Sequence, residues 1–420
     1  MPDSLPINTF LLPLASLGVL AYIHWWWSIL KNWIPTDLTH PKSTPPSAQP
    51  LSNQTENIPP VSTIIPFRNE AQRIPRLLNS LSKIQAPPSW EIIFCNDHSN
   101  DNTVNIIQHF IETHPQLNAK ILTLPESEQG KKWALTAGIA AAQHEIIHTT
   151  DADCGLQPKI YLHLLQHIQQ PHVHLVLGRV EFLTQFTMRH SNAEESNQTF
   201  SPVAQKTVRN FTNQLLQNYQ LIENSVLIAL GYTELLKNNP AAANGANLMF
   251  KKSRFLQLGG YQGNMQHASG DDVFTLEKFL LNNPQSVAFC KHPQAAVITE
   301  VENNFIDFKN QRIRWMKKSF LQKSQKTARK QTFMGLSLFG LWVIAAVSVF
   351  SAHYETMALL WLGKLCVDAA CVSILLRDHP QKPGVLNILF CSILQILWLP
   401  TLGLLSANKK FLWKGRAHNA

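Results

Sequence analysis

The chain has 420 residues, a formal net charge of +9 and 45% hydrophobic residues, with its apolar residues concentrated toward the two ends. This length exceeds one average domain, and the uneven distribution predicts a body flanked by membrane segments. The positive charge suits a basic membrane protein, and because no basic run is interleaved with aromatic residues, a nucleic-acid-binding groove is excluded. The six cysteines form no CxxC pair, so free thiols in a reducing compartment are expected.

The first apolar run covers residues 10–30 and is long enough to cross a bilayer. Three tryptophans at 25–27, followed by Lys31, are typical of an interfacial belt. A cleaved signal peptide is the alternative, but no basic residue precedes the run and no small-residue cleavage site follows it. We therefore predict an uncleaved anchor at 10–30 and, from its Pro, Ser, Thr and Asn content, a linker at 31–60.

Short β-branched runs alternate with segments of helical periodicity between Val61 and Lys330. Strands are predicted at 61–66, 91–95, 121–124 and 145–150, and helices at 69–84, 104–110 and 132–142. The alternation predicts an α/β domain at 61–330 with a mostly parallel sheet flanked by helices. Since ligands bind beyond the carboxyl ends of parallel strands, the predicted sheet makes Asp97, Asp151 and Asp153 candidate site residues.

The segment 209–236 carries apolar residues at helical spacing. It is predicted to form a pair of amphipathic helices lying against a bilayer. A helix in the protein core is the equally weighted alternative.

Three apolar stretches near the C-terminus, 333–350, 357–376 and 385–405, predict a membrane region at 331–406 before a basic tail at 407–420. The basic run at 309–330 predicts that the body lies on the cytoplasmic side of a bacterial inner membrane. Three full crossings would place the basic tail outside, so either the last stretch is re-entrant or interfacial, or another one does not cross. Lys364 and Asp368 lie four residues apart in the middle stretch, and a mutual ion pair is preferred to a transport role.

Asp151-Ala152-Asp153 directly follows a predicted strand and brings two carboxylates to the edge of the sheet. Such oxygen ligands hold Mg²⁺ or Mn²⁺ between substrate phosphates. An acidic turn that caps a helix would produce the same tripeptide, so the surrounding motifs have to decide between the two interpretations.

The motifs between Val61 and Trp315 resemble those of the family 2 inverting glycosyltransferases. In chain order they are VSTIIPFRNE, IIFCNDHSNDNT, GKKWAL, Asp151-Ala152-Asp153, Gly245-Ala246-Asn247, Gly270-Asp271-Asp272 and the QxxRW pattern from Gln311 to Trp315. The resemblance implies a GT-A nucleotide-sugar-binding domain that moves a hexose from a UDP-sugar to a lipid or glycan acceptor. Membrane lipids are further expected partners, and no protein or nucleic-acid partner is predicted.

The resemblance also implies roles for individual residues. Asp272 would be the catalytic base, although it could instead cap a helix. Donor binding would fall to Pro66, Asn69, Glu70, Asn96, Asp97, Lys131, Asp151, Asp153 and Arg314, of which Asp151 and Asp153 would also hold the metal. Acceptor contacts would fall to Asn247, Asp271, Gln311 and Trp315.

Two positions depart from the usual family pattern. Asn96 stands where a second Asp is common, and Asp271 occupies a position that is usually Glu. Either a neutral amide suffices at position 96, or the nucleotide preference differs.

Four hypotheses remain for the whole chain. The preferred one is a single-addition transferase acting on a lipid or lipid-linked acceptor. A processive polysaccharide synthase would use the same motifs, but about four candidate spans are few for a secretion channel. An inactive transferase-like membrane scaffold is disfavoured by the intact acids, and a transporter by the lack of an inverted repeat.

Overall fold

The computed structural model describes residues 8–34, 58–184, 203–266, 270–320, 354–377, 379, 381–406, 410–413 and 416–419. The chain divides into two compact units. The helical unit draws on residues 1–35, 184–237 and 301–409, and the α/β unit on residues 36–183, 238–300 and 410–420.

The α/β unit contains helices and strands in alternation. Its strands are β1 (Val61–Phe67), β2 (Glu91–Asn96), β3 (Asn118–Thr123), β4 (Ile146–Thr149), β5 (Cys154–Leu156), β6 (Leu175–Gly178), β7 (Val180–Leu183), β8 (Leu248–Lys251), β9 (Val287–Cys290), β10 (Val297–Glu300), β11 (Lys410–Trp413) and β12 (Arg416–Asn419). Its helices are α2 (Ile74–Leu81), α3 (Thr103–Thr113), α4 (Lys131–Ala141), α5 (Ile160–Ile168), α7 (Lys252–Gln257) and α8 (Asp271–Asn282).

The central sheet has seven strands in the order β3-β2-β1-β4-β8-β6-β9. The pairings among β3, β2, β1 and β4 are all parallel, and so is that of β6 with β9. By contrast, β8 runs antiparallel to both β4 and β6. The α/β prediction is confirmed, and the sheet is mixed because β8 enters it in the opposite direction. A small sheet, β5-β10-β7, and the β11-β12 hairpin complete the unit.

The core of this unit lies between the central sheet and its helices. All seven residues of β1 and all six of β2 are buried, as expected for strands covered on both faces. Helix α2 buries Ile74, Leu77, Leu78 and Leu81, which form one apolar stripe. Each such side chain contributes about 1.5–3 kcal/mol when fully buried. The helix begins at Ile74 rather than at the predicted position 69, so the intervening residues form a loop beyond β1.

The described part of the helical unit is built from five helices. They are α1 (Asn8–Trp33), α6 (Val203–Leu235), α9 (Phe305–Phe320), α10 (Tyr354–Leu375) and α11 (Val385–Ser406). Segment 209–236 was predicted as two helices but belongs to the single helix α6. Tyr219 and Leu221 of α6 are buried in the core of the unit, which agrees with the alternative of a core helix.

Within the described residues, no helix combines the length and the apolar character needed to cross a bilayer. The predicted transmembrane helices at both ends are therefore wrong, and so is the predicted multi-pass location in a bacterial inner membrane. The apolar runs that suggested spans instead contribute to one shared core, in which Trp26 of α1, Val372 of α10 and Ile388 of α11 are buried together. Stretch 333–350 lies outside the described residues.

A buried polar cluster joins α1 to α10 within this unit. Lys364 Nζ lies 2.5 Å from Asp368 Oδ2, which confirms the predicted ion pair. Trp26 Nε1 donates to Asp368 Oδ1 at 3.2 Å, and the Tyr22 hydroxyl donates to the same oxygen. Asp368 therefore has three donors and is satisfied without any ligand.

Candidate active site

The loop after β1 contains three of the predicted donor-binding residues. Pro66 is buried within β1, and Asn69 has a left-handed backbone with φ of 51°, which asparagine tolerates better than most residues. Asn69 Oδ1 accepts a hydrogen bond from the backbone N–H of Asn100 at 2.9 Å. The backbone N–H of Glu70 donates to Thr103 Oγ1 at 2.8 Å. The loops after β1 and β2 are thus bonded to each other at the carboxyl edge of the sheet.

Asn96 and Asp97 lie at the end of β2, and both are buried. Asn96 Oδ1 accepts a hydrogen bond from the backbone N–H of Ser99 at 2.9 Å. Asp97 Oδ1 accepts one from the backbone N–H of Gly130 at 3.0 Å, and Arg68 Nη1 donates to the Asp97 carbonyl oxygen at 2.9 Å. Asp97 therefore links the loop after β1 to the start of α4.

Lys131, the first residue of α4, lies between two carboxylates. Its Nζ is 2.7 Å from Asp151 Oδ1, just beyond β4, and 3.0 Å from Asp271 Oδ2, at the start of α8. Asp272 follows next in α8. The neighbouring Lys132 is buried and donates to a backbone carbonyl instead, at 2.7 Å. We name Lys131, Asp151, Asp271 and Asp272 the acid–lysine cluster.

A short 3₁₀ turn at Gly245–Asn247 brings backbone groups against this cluster. The N–H of Gly245 donates to Asp272 Oδ2 at 3.2 Å. A Cβ atom at position 245 would lie 2.4 Å from Asp271 Oδ2 and 3.2 Å from Lys131 Nζ. Any side chain at position 245 would therefore displace the carboxylate of Asp271.

The charges of the cluster shift one another's pKa values. Desolvation alone would lower the pKa of Lys131, but the carboxylates of Asp151 and Asp271 outweigh it and hold this pKa well above its ordinary value. Desolvation raises the pKa of Asp151, with Asp153 and Asp271 adding to the rise and Lys131 opposing it. Lys131 is therefore an ammonium ion at any physiological pH.

Asp151 and Asp153 are the predicted metal ligands. Their side chains are 32% and 31% exposed, so both can reach a ligand in solution. Among the described residues, no three His, Cys, Asp or Glu side chains converge on one metal position. Two carboxylates fit a Mg²⁺ or Mn²⁺ ion that takes its other ligands from phosphates and water. Arg73 Nη1 lies 3.6 Å from Asp153 Oδ2, which brings a second cation to this edge.

A chain of neutral hydrogen bonds crosses the core beneath the turn. The hydroxyl oxygens of Tyr161 and Thr63 lie 2.5 Å apart and form a hydrogen bond. The Tyr161 hydroxyl also lies 3.2 Å from His148 Nδ1. His148 Nε2 lies 3.3 Å from Asn247 Oδ1. All four side chains are almost completely buried. We name Thr63, Tyr161, His148 and Asn247 the buried amide chain.

The end of this chain fixes the direction of its hydrogen bonds. Asn247 Nδ2 donates to the carbonyl oxygens of Arg179 at 2.7 Å and Ala295 at 2.9 Å, so Asn247 Oδ1 faces His148 as an acceptor. His148 must then carry its proton on Nε2 and accept at Nδ1 from the Tyr161 hydroxyl. Desolvation lowers the pKa of His148 to about 4, which keeps it neutral. Asn247 was predicted to contact the acceptor, and its amide is held entirely by protein groups.

The remaining predicted site residues, Gln311, Arg314 and Trp315, lie on α9 in the helical unit. Gln311 Nε2 donates to Glu302 Oε1 at 3.1 Å. The Arg312 guanidinium lies 4.2 Å from the centroid of the Trp315 ring, a cation–π contact. The donor and acceptor roles of these residues stay predictions.

The sequence interpretation did not single out three residues that the structure places close to predicted site residues. Two lie in the loop after β1, and the third lies beneath the turn at Gly245–Asn247. Arg68 and Arg73 flank Asn69 and Glu70, and their position just after a strand end was the available signal. His148 was assigned to packing, and nothing in the sequence connects it to Asn247, which is 99 residues away.

Comparison with known proteins finds a family profile that matches part of the chain. The profile described as Glycosyl transferase family 2 matches residues 62–236. A Dolichyl-phosphate beta-glucosyltransferase of Dictyostelium discoideum is 33% identical over 115 residues, which cover 26% of this chain and 35% of that protein. A Poly-beta-1,6-N-acetyl-D-glucosamine synthase of Staphylococcus epidermidis is 28% identical over 120 residues, covering 29% of this chain and 28% of that protein. The chain spans 24% to 42% of the length of the curated relatives it matches.

One solved structure gives the fold. The mannosyltransferase PcManGT from Pyrobaculum calidifontis, in complex with GDP-Man and Mn²⁺, superposes with a TM-score of 0.52 at 18% identity, covering 93% of this chain and 99% of that one. At this identity the likeness shows the fold alone. The predicted GT-A fold is confirmed, and so is the family 2 resemblance over the matched segment.

Proposed function

We propose that this protein, which carries a family 2 glycosyltransferase domain, transfers a hexose from a nucleoside-diphosphate sugar to a hydroxyl of a lipid or lipid-linked acceptor, with inversion at the anomeric carbon. The family match over residues 62–236 and the names of the relatives support the predicted enzyme class, a glycosyltransferase.

The observation that carries the proposal is the acid–lysine cluster. Lys131, Asp151, Asp271 and Asp272 come from three separate segments and meet around Gly245. Parallel strands β1, β2 and β4 end at this edge of the sheet, which is where ligands bind in such folds. A purely structural ion pair would need one acid and one base, whereas here a single lysine is shared by two acids.

Asp151 and Asp153 would hold the divalent cation, Mg²⁺ or Mn²⁺. When bound, the ion would neutralise charge on the departing diphosphate. The ammonium group of Lys131 lies beside Asp151 and would add a second positive charge for the same phosphates. The divalent cation and the Lys131 ammonium group would both stabilise the departing diphosphate and would not act on the acceptor.

Asp272 would act on the attacking group. Its Oδ2 accepts from the Gly245 N–H at 3.2 Å and its Oδ1 accepts from the Val273 N–H at 2.7 Å, so the carboxylate is fixed in orientation. A base held in this way accepts the proton of an acceptor hydroxyl as the hydroxyl attacks the anomeric carbon. Attack from the face opposite the diphosphate inverts that carbon, and no covalent enzyme intermediate forms.

The acceptor is proposed to be a hydroxyl because Asp272 is retained. A lipid phosphate is already ionised at neutral pH, since its second pKa is about 6, and needs no base. The Dictyostelium relative is named for a dolichyl phosphate, so lipid phosphate is the alternative to test within the same class.

The donor is proposed to be a UDP-sugar, as the sequence motifs imply. The superposed PcManGT structure is a complex with GDP-Man, which makes a GDP-sugar the second donor to test. Asn96 lies in the segment that the resemblance assigns to the nucleoside, and its Oδ1 accepts from the Ser99 N–H.

A processive polysaccharide synthase is the second candidate function. The relative from Staphylococcus epidermidis, named as a synthase of poly-beta-1,6-N-acetyl-D-glucosamine, favours it. The two candidates differ in product length rather than in the chemistry of the α/β unit.

The test is a donor and acceptor matrix with the purified full chain. UDP- and GDP-hexoses are each incubated with Mn²⁺ or Mg²⁺ and with a polyprenyl phosphate, a lipid-linked disaccharide or no acceptor. Release of nucleoside diphosphate and product mass are measured. We expect metal-dependent release that rises with the lipid-linked disaccharide and yields a product one hexose heavier.

Asp272→Asn separates the acceptor classes. It should lower transfer to a hydroxyl at least about 100-fold and leave transfer to a phosphate nearly intact. A ladder of long products would favour the processive synthase, and absence of release from every donor, with the protein folded, would refute the transferase proposal.

A further inference from the structure

Lys131 occupies the position from which it cancels the charge of Asp151. Its Nζ lies 2.7 Å from Asp151 Oδ1 and 3.0 Å from Asp271 Oδ2, and its side chain is only 18% exposed. Asp151 is also the first of the two carboxylates that would hold a divalent cation. A lysine and a divalent cation would therefore compete for the same carboxylate.

The position of Lys131 is fixed by its surroundings. Gly130 has φ of 106°, a conformation open to glycine, and its N–H is held by Asp97 Oδ1 at 3.0 Å. The start of α4 is thereby anchored to the end of β2. On the other side, Gly245 leaves no room for a side chain beside Asp271 and Lys131. The backbone of Lys131 is thus anchored, and its ammonium group lies within 3.0 Å of both carboxylates.

Charge decides what this arrangement does to a cation. The Lys131 side chain is an ammonium ion at neutral pH, and it lies 2.7 Å from Asp151 Oδ1 and 3.0 Å from Asp271 Oδ2. Like charges at short distance in a recess of lowered dielectric repel strongly. With Lys131 paired to Asp151, part of the negative charge that Asp151 and Asp153 offer to a divalent cation is already neutralised, so the site is weak until phosphates supply further ligands.

We propose that Lys131 is a built-in counter-cation that weakens the binding of divalent metal when no donor is bound and moves from Asp151 to the donor diphosphate when donor and metal bind together. This rests on the proposed function, because it assumes a diphosphate donor. Asp271 is then a positioning residue: it holds the lysine near Asp151 and does not need to touch the acceptor. No covalent bond changes in this exchange, and only ion pairs are traded.

The experiment measures Mn²⁺ binding by the electron paramagnetic resonance signal of free Mn²⁺, using the full chain with and without UDP or GDP. Wild-type protein should bind Mn²⁺ weakly alone and at least tenfold more tightly with one of the nucleotides. Lys131→Met, which keeps the side-chain length without the charge, should bind Mn²⁺ alone at least tenfold more tightly than wild type. Its gain on adding nucleotide should shrink.

Two further variants make the result specific. Lys83→Met removes an exposed lysine just after α2 and should leave both affinities unchanged. Asp271→Asn leaves Lys131 with Asp151 as its main partner, so Mn²⁺ affinity without nucleotide should not rise. If Lys131 had a merely structural role, both Lys131→Met and Asp271→Asn would bind Mn²⁺ more weakly. If it is a counter-cation, only Lys131→Met binds Mn²⁺ more tightly than wild type.

Failure of the inference and failure of the proposed function look different. If Lys131→Met binds Mn²⁺ alone no better than wild type, while nucleotide still tightens binding in both, the counter-cation is refuted and the transferase proposal stands. If neither UDP nor GDP changes Mn²⁺ binding in any folded variant, the diphosphate-donor function itself is refuted.

Discussion

The acid–lysine cluster and the buried amide chain lie on two sides of the same short turn, and they treat polar groups in opposite ways. The cluster is charged, partly exposed and shares one lysine between two carboxylates. The buried amide chain is neutral and buried, and each of its side-chain nitrogen and oxygen atoms has a hydrogen-bond partner. The turn at Gly245–Asn247 is common to both, because Gly245 bonds to Asp272 and Asn247 bonds to His148.

The difference separates two tasks. A buried network in which every polar group is hydrogen-bonded is rigid and specifies one geometry. The buried amide chain therefore fixes the position of the turn. An unbalanced set of charges is costly in isolation and is relieved by a ligand of suitable charge. We therefore expect substitutions in the buried amide chain to change stability and substitutions in the acid–lysine cluster to change activity.

The largest expected effect is on activity, from Asp272→Asn. Asn can still accept from the Gly245 N–H but cannot take a proton, so transfer to a hydroxyl acceptor should fall roughly 100- to 10,000-fold. Donor affinity should stay within about twofold because Asp272 serves the acceptor. Diphosphate release and a donor titration measure both. Glu112→Gln, an exposed acid on α3, is the control and should be silent; a similar loss there would point to damage to the fold.

The next effect is on stability, from Asn247→Asp. This change removes both hydrogen bonds to the carbonyls of Arg179 and Ala295 and presents a carboxylate to them. The free energy of unfolding should fall by about 2–5 kcal/mol in chemical denaturation. Asn244→Asp is the matched control, because its Oδ1 only accepts, from the Ala246 N–H at 3.1 Å, and it should change stability by less than about 0.5 kcal/mol. Equal losses of stability in both variants would contradict the assignment of Asn247 Nδ2 as the donor to the two carbonyls.

A third prediction concerns pH and His148. Its pKa is about 4 in the fold and about 6.5 when unfolded, so the unfolded chain binds the extra proton between these values. The stabilisation is complete above pH 6.5 and is lost as pH falls toward 4, by about 3 kcal/mol. Denaturation of wild type and His148→Gln at several pH values measures it. The variant should lack this part of the pH dependence, and identical slopes would show that His148 is not the group responsible.

The smallest expected effect comes from Gly245→Ala. The new Cβ would overlap Asp271 Oδ2, so the carboxylate has to shift and the protein should lose about 1–3 kcal/mol of stability. The donor KM should rise because Lys131 moves with its partner. Gly363→Ala in α10 meets nothing within 4 Å and should instead stabilise the protein by up to about 1 kcal/mol. A variant at 245 with unchanged stability and KM would show that the close approach is not required.

Much of the α/β unit could be predicted because its signals are local. Strands β1 to β4 alternate with helices α2 to α4 along roughly 90 residues, and local sequence patterns indicate these elements. The orientation of β8 could not be predicted, since four residues carry no information about which strand they pair with. Helix α6 was divided in two because spacing alone does not reveal that a helix continues.

The error over transmembrane helices has a related cause. Apolar runs such as 10–30 and 385–405 record that side chains avoid water, but they do not record what covers them. In the helical unit, side chains of α1, α6, α10 and α11 cover one another. Neighbours along the sequence cannot distinguish that arrangement from burial in lipid.

The sequence by itself determined the fold class of the α/β unit and the acids that end its strands, because periodicity and strand-end position are properties of neighbouring residues. Tertiary structure alone decided which acid receives Lys131, why residue 245 has no side chain and how His148 is protonated. Those facts depend on distances of a few ångströms between segments that are up to 140 residues apart in the chain. Local sequence cannot encode such distances, since they depend on how all the elements of the unit fit against one another.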